Sequence, residues 1–459
     1  MHLVAIGGSD AGISTALRAR ELDPTVDVTV VVADSYPNFS ICGIPYYFSR
    51  EVQPWQSLAH RTHADLEATG MNLRLDTLAT GIDVTGRKLT VRDANGTEST
   101  IPYDALMVGT GASPSTAGIT GLDQLGPDDG VHLLHSMGDT FALERYLDDH
   151  QPETAIIVGA GYVGLEMAEA LTVRGLHVTQ LQRGSEVLST LDPELGSLVH
   201  DELTRHGVNV LTGTRIEAVT RNAGRLTVAG TRDSDVFSQS ADLVLVVVGV
   251  RPNTSLLTGA GATTGSGGAV VVDEHMRTGL PNVWAAGDGV VTHHRLLGVT
   301  YLPLGTTSHK QGRVAGENAI GGNTRFSGSL GTQVVKVFDV VAARTGLRDH
   351  EATKYSPYSY TAIADDHKRY YPGATPISIR VTGDTRDGRL LGAQLVGARG
   401  AEISKRIDTY ATALHHGMTV AAMSDLDLSY TPPLGSPWDA VQIATQAWER
   451  DARPLTSVL

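Results

Sequence analysis

Four features of this chain have residue types and spacing that could do chemistry: one thiol, two glycine-rich turns and an aspartate closing a buried run. The thiol is Cys42, the only cysteine in the chain, in the stretch Asn38-Phe39-Ser40-Ile41-Cys42-Gly43-Ile44-Pro45-Tyr46-Tyr47. It follows a β-branched run over 26–32 and a turn over 34–37, which predicts a place near the start of a helix. Positive partial charge there favours thiolate over thiol and makes a useful nucleophile. A lone cysteine is otherwise most often a buried, inert, small apolar residue. The two nucleotide-binding signatures reverse that reading. A single cysteine also excludes an intrachain disulfide and a pair of scissile thiols.

The first signature, Gly7-Gly8-Ser9-Asp10-Ala11-Gly12, lies between a predicted strand over 3–6 and a helical pattern over 13–22. Strand, glycine turn and helix in that order give a pyrophosphate close backbone approach and a helix N-terminus. Ser9 stands where the fingerprint has its second glycine, so an ordinary strand-to-helix turn is the alternative. The acid expected about 20 residues later is displaced to Asp34. The second signature, Gly159-Ala160-Gly161-Tyr162-Val163-Gly164-Leu165-Glu166, has all three glycines, after a strand over 155–158 and before a helix over 167–174. The next strand, over 176–181, leads into Gln182-Arg183. A carboxylate there would accept the ribose hydroxyls of NAD, whereas Gln182 with Arg183 suits a 2′-phosphate. NADPH is the expected donor, with NADH the alternative and a merely solvated Arg183 the bland one. A buried strand over 283–286 ends at Gly287-Asp288, and an aspartate at that end points into the ligand crevice of a doubly wound fold. Thr110-Gly111 ends another buried strand, suited to passing tightly beside a nucleotide.

The elements that must position these residues are those of a soluble α/β protein. The 459 residues imply about three domains. The 51 glycines and 6 phenylalanines fit a loop-rich protein. A net charge of −14 argues against nucleic acid or an anionic membrane as partner. The longest apolar run, 243–250, is too short to cross a bilayer, and the chain's start has no basic flank or cleavage-type segment. A cytoplasmic protein is expected. A helix is predicted over 55–70, with His60-Arg61-Thr62-His63 on a solvated face. Strands over 72–75, 81–84, 88–92 and 98–101 read as a small antiparallel insertion with Asn95-Gly96 as a hairpin turn. A helical link covers 139–149, strands and a hairpin fill 214–249 up to Gly249, and a helix covers 305–320. From 331 the character changes: strands over 333–338, 376–381 and 390–395 surround a tyrosine-rich stretch, 355–371. Helices over 402–415 and 420–424 follow, then a proline-stiffened segment, 430–438, and a final helix.

Taken in order, these segments resemble the FAD-dependent pyridine nucleotide–disulfide oxidoreductases over essentially the whole chain, and most the single-cysteine branch typified by coenzyme A disulfide reductase. The matching residues are the first glycine turn, Ser40-Ile41-Cys42-Gly43-Ile44-Pro45-Tyr46, Thr110-Gly111-Ala112-Ser113-Pro114 and Gly159 to Glu166. Gly249-Val250-Arg251-Pro252-Asn253, Ala286-Gly287-Asp288 and Tyr430-Thr431-Pro432-Pro433 match too. The resemblance implies two doubly wound dinucleotide-binding domains plus a C-terminal α+β dimerisation domain. It divides the chain into an FAD domain over 1–115 and 250–325, an NAD(P)H domain over 116–249 and a dimer domain over 326–459. The implied cofactor-binding set is Gly7, Gly8, Ser9, Ala11, Gly12, Asp34, Ser40, Thr110, Gly111, Gly159, Gly161, Tyr162, Gly164, Glu166, Arg183, Gly249, Gly287 and Asp288, with no metal. Asp288 would hold the ribityl chain of FAD, and Tyr162 would gate the flavin. In a symmetric homodimer, Tyr430 and either Tyr370 or Tyr371 would reach the partner's active site; packing is the bland alternative for each.

The implied activity is NADPH-dependent reduction of a small disulfide, resembling CoA disulfide. Cys42 attacks it and keeps half as a mixed disulfide, and Tyr430 assists the departing thiolate. An NAD(P)H oxidase or a sulfur or persulfide reductase would use the same parts, and a redox-sensing flavoprotein without turnover is a rival of another class. Departures from relatives sharpen the picture. Peroxide- and oxygen-reducing members carry a histidine where this chain has Asp10, which disfavours peroxidase chemistry. Tyr47 stands where two-cysteine reductases have their second thiol. The rhodanese-like domain of many persulfide-reducing relatives is not expected in a chain ending at Leu459. Of the basic residues expected to receive a CoA nucleotide, Arg20 is present but is followed by Glu21.

Overall fold

The computed structural model describes residues 1–222 and 224–452. Residue 223, within the region expected to hold strands and a hairpin, and residues 453–459, the end of the expected third domain, lie outside the described residues. The chain forms two compact units. One holds Met1–Ser115, Leu134–Phe141 and Gly249–Ser329; the other holds Thr116–Leu133, Ala142–Val248 and the described residues from Leu330 on.

The first unit is built on a five-stranded parallel sheet in the order Val283–Ala285, Ala105–Val108, His2–Ile6, Asp27–Val31, Met71–Arg74. The strands His2–Ile6, Asp27–Val31 and Ala105–Val108 are nearly continuous apolar runs because they are covered on all sides, with helices packed on the sheet and Leu89, Val91 and Ile101 of an antiparallel meander in the same core. The helices Asp10–Leu22 and Gly305–Ala319 cross closely through small residues. A Cβ on Gly312 would stand 2.5 Å from the Ala11 carbonyl oxygen, and Thr15 Oγ1 donates to the Gly312 carbonyl at 2.8 Å.

Two expectations are corrected in this unit. The segment 72–75 does not belong to the antiparallel insertion. Met71–Arg74 pairs in parallel with Asp27–Val31 at the edge of the main sheet, with Met71 in the core. Alternation of apolar and polar residues suits an edge strand of either kind, so the pattern did not separate them. The insertion itself is the meander Thr77–Asp83, Lys88–Asp93, Glu98–Pro102. The helix expected over 55–70 is two pieces, a 3-10 turn at Trp55–Leu58 and a helix at His63–Ala68. The chain between them is drawn out to pair with the cysteine segment: Ser40 N donates to Leu58 O at 2.8 Å and His60 N to Asn38 O at 2.9 Å. Thr62 and Asp65 then start the second piece with a reciprocal capping box.

The second unit contains another parallel sheet, ordered Asn209–Leu211, His177–Leu181, Thr154–Val158, Leu243–Val246, Val131–His132, beside a three-stranded antiparallel sheet. Packed with it is a five-stranded antiparallel sheet ordered Gln333–Val337, Val340–Gly346, Leu390–Ala398, Pro376–Asp384, Pro357–Asp365. Helices Ile403–His415 and Ala440–Ala452 cover that sheet. Buried ionic contacts tie these layers together. Glu169 accepts from Phe338 N at 2.7 Å and pairs with Lys336, and Asp192 accepts from Arg380 Nε at 2.9 Å and Gln394 Nε2 at 2.8 Å. The tyrosine-rich stretch contains a full strand, Pro357–Asp365, and Val340–Gly346 is another strand the sequence pattern had not resolved.

The fold is α/β, with two doubly wound dinucleotide-binding folds and a C-terminal α+β dimerisation domain. Among the described residues no helix is long and apolar enough to cross a membrane.

Candidate active site

Cys42 is exposed, in a single 3-10 turn, Ile41–Gly43, that runs into the short helix Ile44–Phe48. It stands at a helix start as expected, but five residues carry little of a full helix's field. The turn is held stiffly. Asn38, with φ +60°, donates its N–H to the Gly8 carbonyl at 2.6 Å, which ties the cysteine segment to the first glycine turn. Asn38 Oδ1 is buried without a hydrogen-bond partner among the described residues. A Cβ on Gly43 would meet a Leu58 methyl at 2.7 Å, so the close packing of the turn on Leu58 needs glycine. Tyr36, Phe39, Trp55 and Phe141 stack edge to face around the base, with ring centroids 5.0 to 5.9 Å apart.

The first glycine turn has the geometry of the second, despite Ser9. Gly7 and Gly159 have φ of +110° and +106°, in the left-handed region where side chains are strained. A Cβ on Gly12 would lie 1.9 Å from Gly7 O, and one on Gly164 lies equally close to Gly159 O. The middle positions are ordinary extended backbone, φ −104° at Ser9 and −84° at Gly161. A serine therefore fits, and its exposed hydroxyl makes no cap bond. Around Gly161 nothing lies within 4 Å of a Cβ position, so the backbone is bare toward a ligand.

Two carboxylates accompany the first turn. Asp34 is exposed on its outer side, yet protein on its inner side raises its carboxyl by desolvation; the Tyr36 N–H at 2.9 Å works against this and Asp76 adds to it. Asp288 follows Gly287 (φ +87°) and is half-buried. Burial raises its carboxyl, and the Ser308 hydroxyl on Oδ1 at 2.9 Å opposes that. Its Oδ2 accepts from no described residue. Tyr301 donates to the Asp288 carbonyl at 2.9 Å, and burial pushes that phenol up to about 12. Thr110 is committed within the protein: its Oγ1 donates to Asn253 O at 2.7 Å, leaving Gly111, φ +63°, as the open residue of that turn. A glycine cradle and desolvated carboxylates with an acceptor to spare fit a hydroxyl-rich dinucleotide such as FAD.

At the second turn Gln182 serves the loop, accepting from Ala160 N at 3.4 Å and donating to Glu186 O at 3.2 Å. Arg183 beside it is exposed and makes no ion pair among the described residues. Gln180 Nε2 braces the turn through Gly159 O at 2.7 Å. Tyr162 opens the helix Tyr162–Val173, and its hydroxyl is tied to Gln333 at 2.5 Å and Thr190 at 3.2 Å. Burial raises this phenol to about 12, with the half-buried Glu166 adding a smaller push. Gly249, φ +106°, has open space where a Cβ would stand. The tyrosines of the C-terminal region also meet. Tyr370 hydrogen-bonds Tyr430, which raises the Tyr370 phenol, and Lys368 N donates to Pro432 O at 3.3 Å; Tyr370, Tyr371 and Tyr430 are all exposed.

The structure thus gathers Cys42, Ser40, the first turn, Thr110, Gly111, Gly287 and Asp288 in one unit. The second turn, Tyr162, Glu166 and Arg183 lie in the other, with Tyr370, Tyr371 and Tyr430 on linked loops there. Arg20 is not available to a nucleotide. Its guanidinium donates to Thr69 O at 2.9 Å, Pro24 O at 2.6 Å and Val26 O at 2.9 Å. Residues the sequence reading missed include Gln333, which latches Tyr162, and Ser308 and His309 on the helix Gly305–Ala319. No local pattern marks them, because their partners lie 171, 20 and 299 residues away.

Fold and site together define an FAD-dependent oxidoreductase that uses a nicotinamide nucleotide. The comparisons agree: the model of the pyridine nucleotide-disulphide oxidoreductases matches residues 1–312, and that of their dimerisation domain matches 332–440. The chain belongs to this family. It is similar to an NAD(P)H coenzyme A polysulfide/persulfide reductase of Pyrococcus horikoshii, 34% identical over 95% of this chain and 96% of that one. It is also similar to a coenzyme A disulfide reductase of Staphylococcus haemolyticus, 27% identical over 96% of this chain and 98% of the other. Among solved structures, an NAD-dependent persulfide reductase from A. fulgidus superposes with a TM-score of 0.92 at 34% identity, covering 98% of this chain and 84% of that one.

Proposed function

We propose that this chain is an NADPH-dependent flavoprotein that reduces a small disulfide or persulfide through Cys42. The observation that carries this reading is the mounting of Cys42. It is an exposed thiol in a glycine-stiffened turn, hydrogen-bonded through Asn38 to the same Gly7–Gly12 turn that fits a dinucleotide. Gly7, Gly8, Ser9, Ala11, Gly12, Asp34, Ser40, Thr110, Gly111, Gly287 and Asp288 would hold FAD. Gly159, Gly161, Tyr162, Gly164 and Glu166 would hold the nicotinamide nucleotide, with Arg183 on a 2′-phosphate, and Gly249 is a further cofactor-binding residue. When bound, FAD supplies the passage of an electron pair from NADPH to sulfur.

The protein's own work is exchange at sulfur. The Cys42 thiolate attacks one sulfur of the substrate, one thiol leaves, and the other half stays on Cys42 as a mixed disulfide. Tyr430, bonded to Tyr370, offers a hydroxyl to a second copy's site, the catalytic unit being a two-fold dimer built on the C-terminal sheet. Within this reading the flavin domain is 1–115 with 250–325, the nicotinamide domain 116–249 and the dimer domain from 326.

A sulfur-chain substrate is favoured over a CoA disulfide by the gradient of similarity. The polysulfide/persulfide reductases, themselves named for coenzyme A, are the more identical relatives, and the Arg20 guanidinium, spent on backbone carbonyls, does not bear on this choice. The test is Cys42→Ser. FAD binding should survive, while NADPH consumption with disulfide or polysulfide falls to background. Unchanged turnover with either acceptor refutes the reading, and oxygen uptake matching NADPH use would convert it to an oxidase.

A further inference from the structure

Asp10, the first residue of the helix Asp10–Leu22, does not stand alone where related enzymes place an imidazole. His309 Nε2 of the helix Gly305–Ala319 lies 3.3 Å from Asp10 Oδ1, and its Nδ1 lies 2.9 Å from Ser14 Oγ, so the ring is held from both sides by the first helix. Gly305 lets the two helices close on this pair, because a Cβ there would come to 3.0 Å from Asp10 Oδ2. The pair is linked through its chain neighbours to the cysteine segment and to Asp288. Asp10 is two residues from Gly8, whose carbonyl anchors the cysteine segment at Asn38. His309 follows Ser308, which holds Asp288. Asp10 and Asp288 are near enough for their charges to repel. The neighbouring cations are mostly paired elsewhere: Arg313, one turn along, faces Glu21 at 3.3 Å, and Arg18 is closed by Glu317 and Glu21. Lys310 points to solvent without an ion pair among the described residues. About half of the His309 side chain is exposed, so water reaches its edge.

We propose that His309 and Asp10 form the proton-carrying pair of the Cys42 site, an inference that rests on the thiol-exchange reading above. In the step, the Cys42 thiolate attacks one sulfur of R–S–S–R′. The Cys42–S bond forms as S–S breaks, and R′–S⁻ leaves with the electron pair. Asp10 hands a proton to that thiolate as His309 Nε2 gives its own to the Asp10 carboxyl. The neutral imidazole regains a proton from water. An imidazole is the side chain whose proton is exchangeable near neutral pH, so the second residue supplies what a carboxylate alone lacks. Ser14 is a positioning residue for the ring.

The measurement is leaving-group dependence, taken without NADPH. Holoenzyme with Cys42 reduced is mixed with a dialkyl disulfide, whose thiolate leaves poorly, or with 5,5′-dithiobis(2-nitrobenzoate), whose aryl thiolate leaves readily unprotonated. Formation of the Cys42 adduct is followed by quenched mass spectrometry. His309→Asn should slow the dialkyl reaction about 100-fold and leave the aryl reaction within about two-fold. Asp10→Asn, which keeps the side chain's size, should show the same split, and FAD content reports whether either variant is folded. Equal slowing of both disulfides, or none of the dialkyl one, overturns the proposal, as does a split seen with Tyr430→Phe and not with His309→Asn. A wild-type protein that forms no adduct at all refutes the Cys42 reading itself.

Discussion

Removing one hydroxyl from Tyr162 should tighten nucleotide binding. Tyr162 stands directly behind Gly161, and we read it as a side chain that moves when NADPH enters. Its hydroxyl is held at 2.5 Å by Gln333 and, more loosely, at 3.2 Å by Thr190. Thr190 is itself fixed, its carbonyl accepting from Arg344 Nη1 at 2.9 Å, so the latch does not simply follow the ring. A neutral hydrogen bond is worth about 0.5–1.5 kcal/mol after exchange with water. Counting the long one at the low end, opening costs about 1–2 kcal/mol. Tyr162→Phe should then lower the NADP⁺ dissociation constant by about 5- to 30-fold. Perturbation of the flavin absorption during titration with NADP⁺ reads this without turnover. Gln333→Leu, which removes the partner and keeps the ring, should give most of the same gain. A dissociation constant unchanged in both variants, or raised in both, refutes the latch, because a hydroxyl that merely packs would give no gain in affinity.

Other consequences are direct. Arg183→Glu should raise the KM for NADPH about 10-fold or more, since it replaces the cation facing a 2′-phosphate by a like charge, while the KM for NADH changes little; parallel steady-state titrations decide it. Burial pushes the Glu351 carboxyl up, but the Arg348 and Arg344 guanidinium bonds overcome it and bring it down to about 2. A carboxyl depressed in the folded state gives stability that is complete above its ordinary value near 4.5 and is lost as pH falls toward 2. That is roughly 3 kcal/mol. Denaturant melts of Glu351→Gln should therefore show lower stability at pH 7 and a flatter acid limb between about 4.5 and 2. An unchanged limb would show that the two arginines do not hold it.

How much of this was legible in the chain depends on what each residue is needed for. Glycines forced by the backbone were readable. Gly7 and Gly159 sit at positive φ, and a Cβ on Gly12 or Gly164 would run into the carbonyl oxygen of its own turn. No other residue fits there, so the motif survives even with Ser9 at a position of ordinary extended backbone. Buried parallel strands were readable for a similar reason, because a sheet covered on both faces leaves room for little but apolar runs. The edge strand Met71–Arg74 was read as a strand but given to the wrong sheet, and Pro357–Asp365 was not assigned, because one side of each is unpaired and their patterns carry no sign of which neighbour they take. The break at residues 59–61 was hidden as well, since it is imposed by pairing with Asn38 and Ser40 and not by a helix breaker.

Side-chain constellations follow another logic. Asp10, seen alone, disfavoured peroxidase chemistry at the first turn, because a carboxylate stands where peroxide-reducing members carry an imidazole, and it said nothing of what a neighbouring helix brings to it. A pocket needs a group at a point in space, and a helix packed against the first one can supply it from 299 residues away. The close crossing of Asp10–Leu22 with Gly305–Ala319 is what makes such a supply reliable: Gly312 and Gly316 bring the backbones together, and His309 is then placed by the helix pitch. Widening that crossing should therefore act on chemistry through distance. Gly312→Ala would set a Cβ 2.5 Å from the Ala11 carbonyl oxygen, and any relaxation moves His309 away from Asp10. If proton delivery depends on this contact, such a variant loses dialkyl-disulfide exchange before it loses aryl exchange or FAD. Loss of all three together would mean that the crossing only supports the fold.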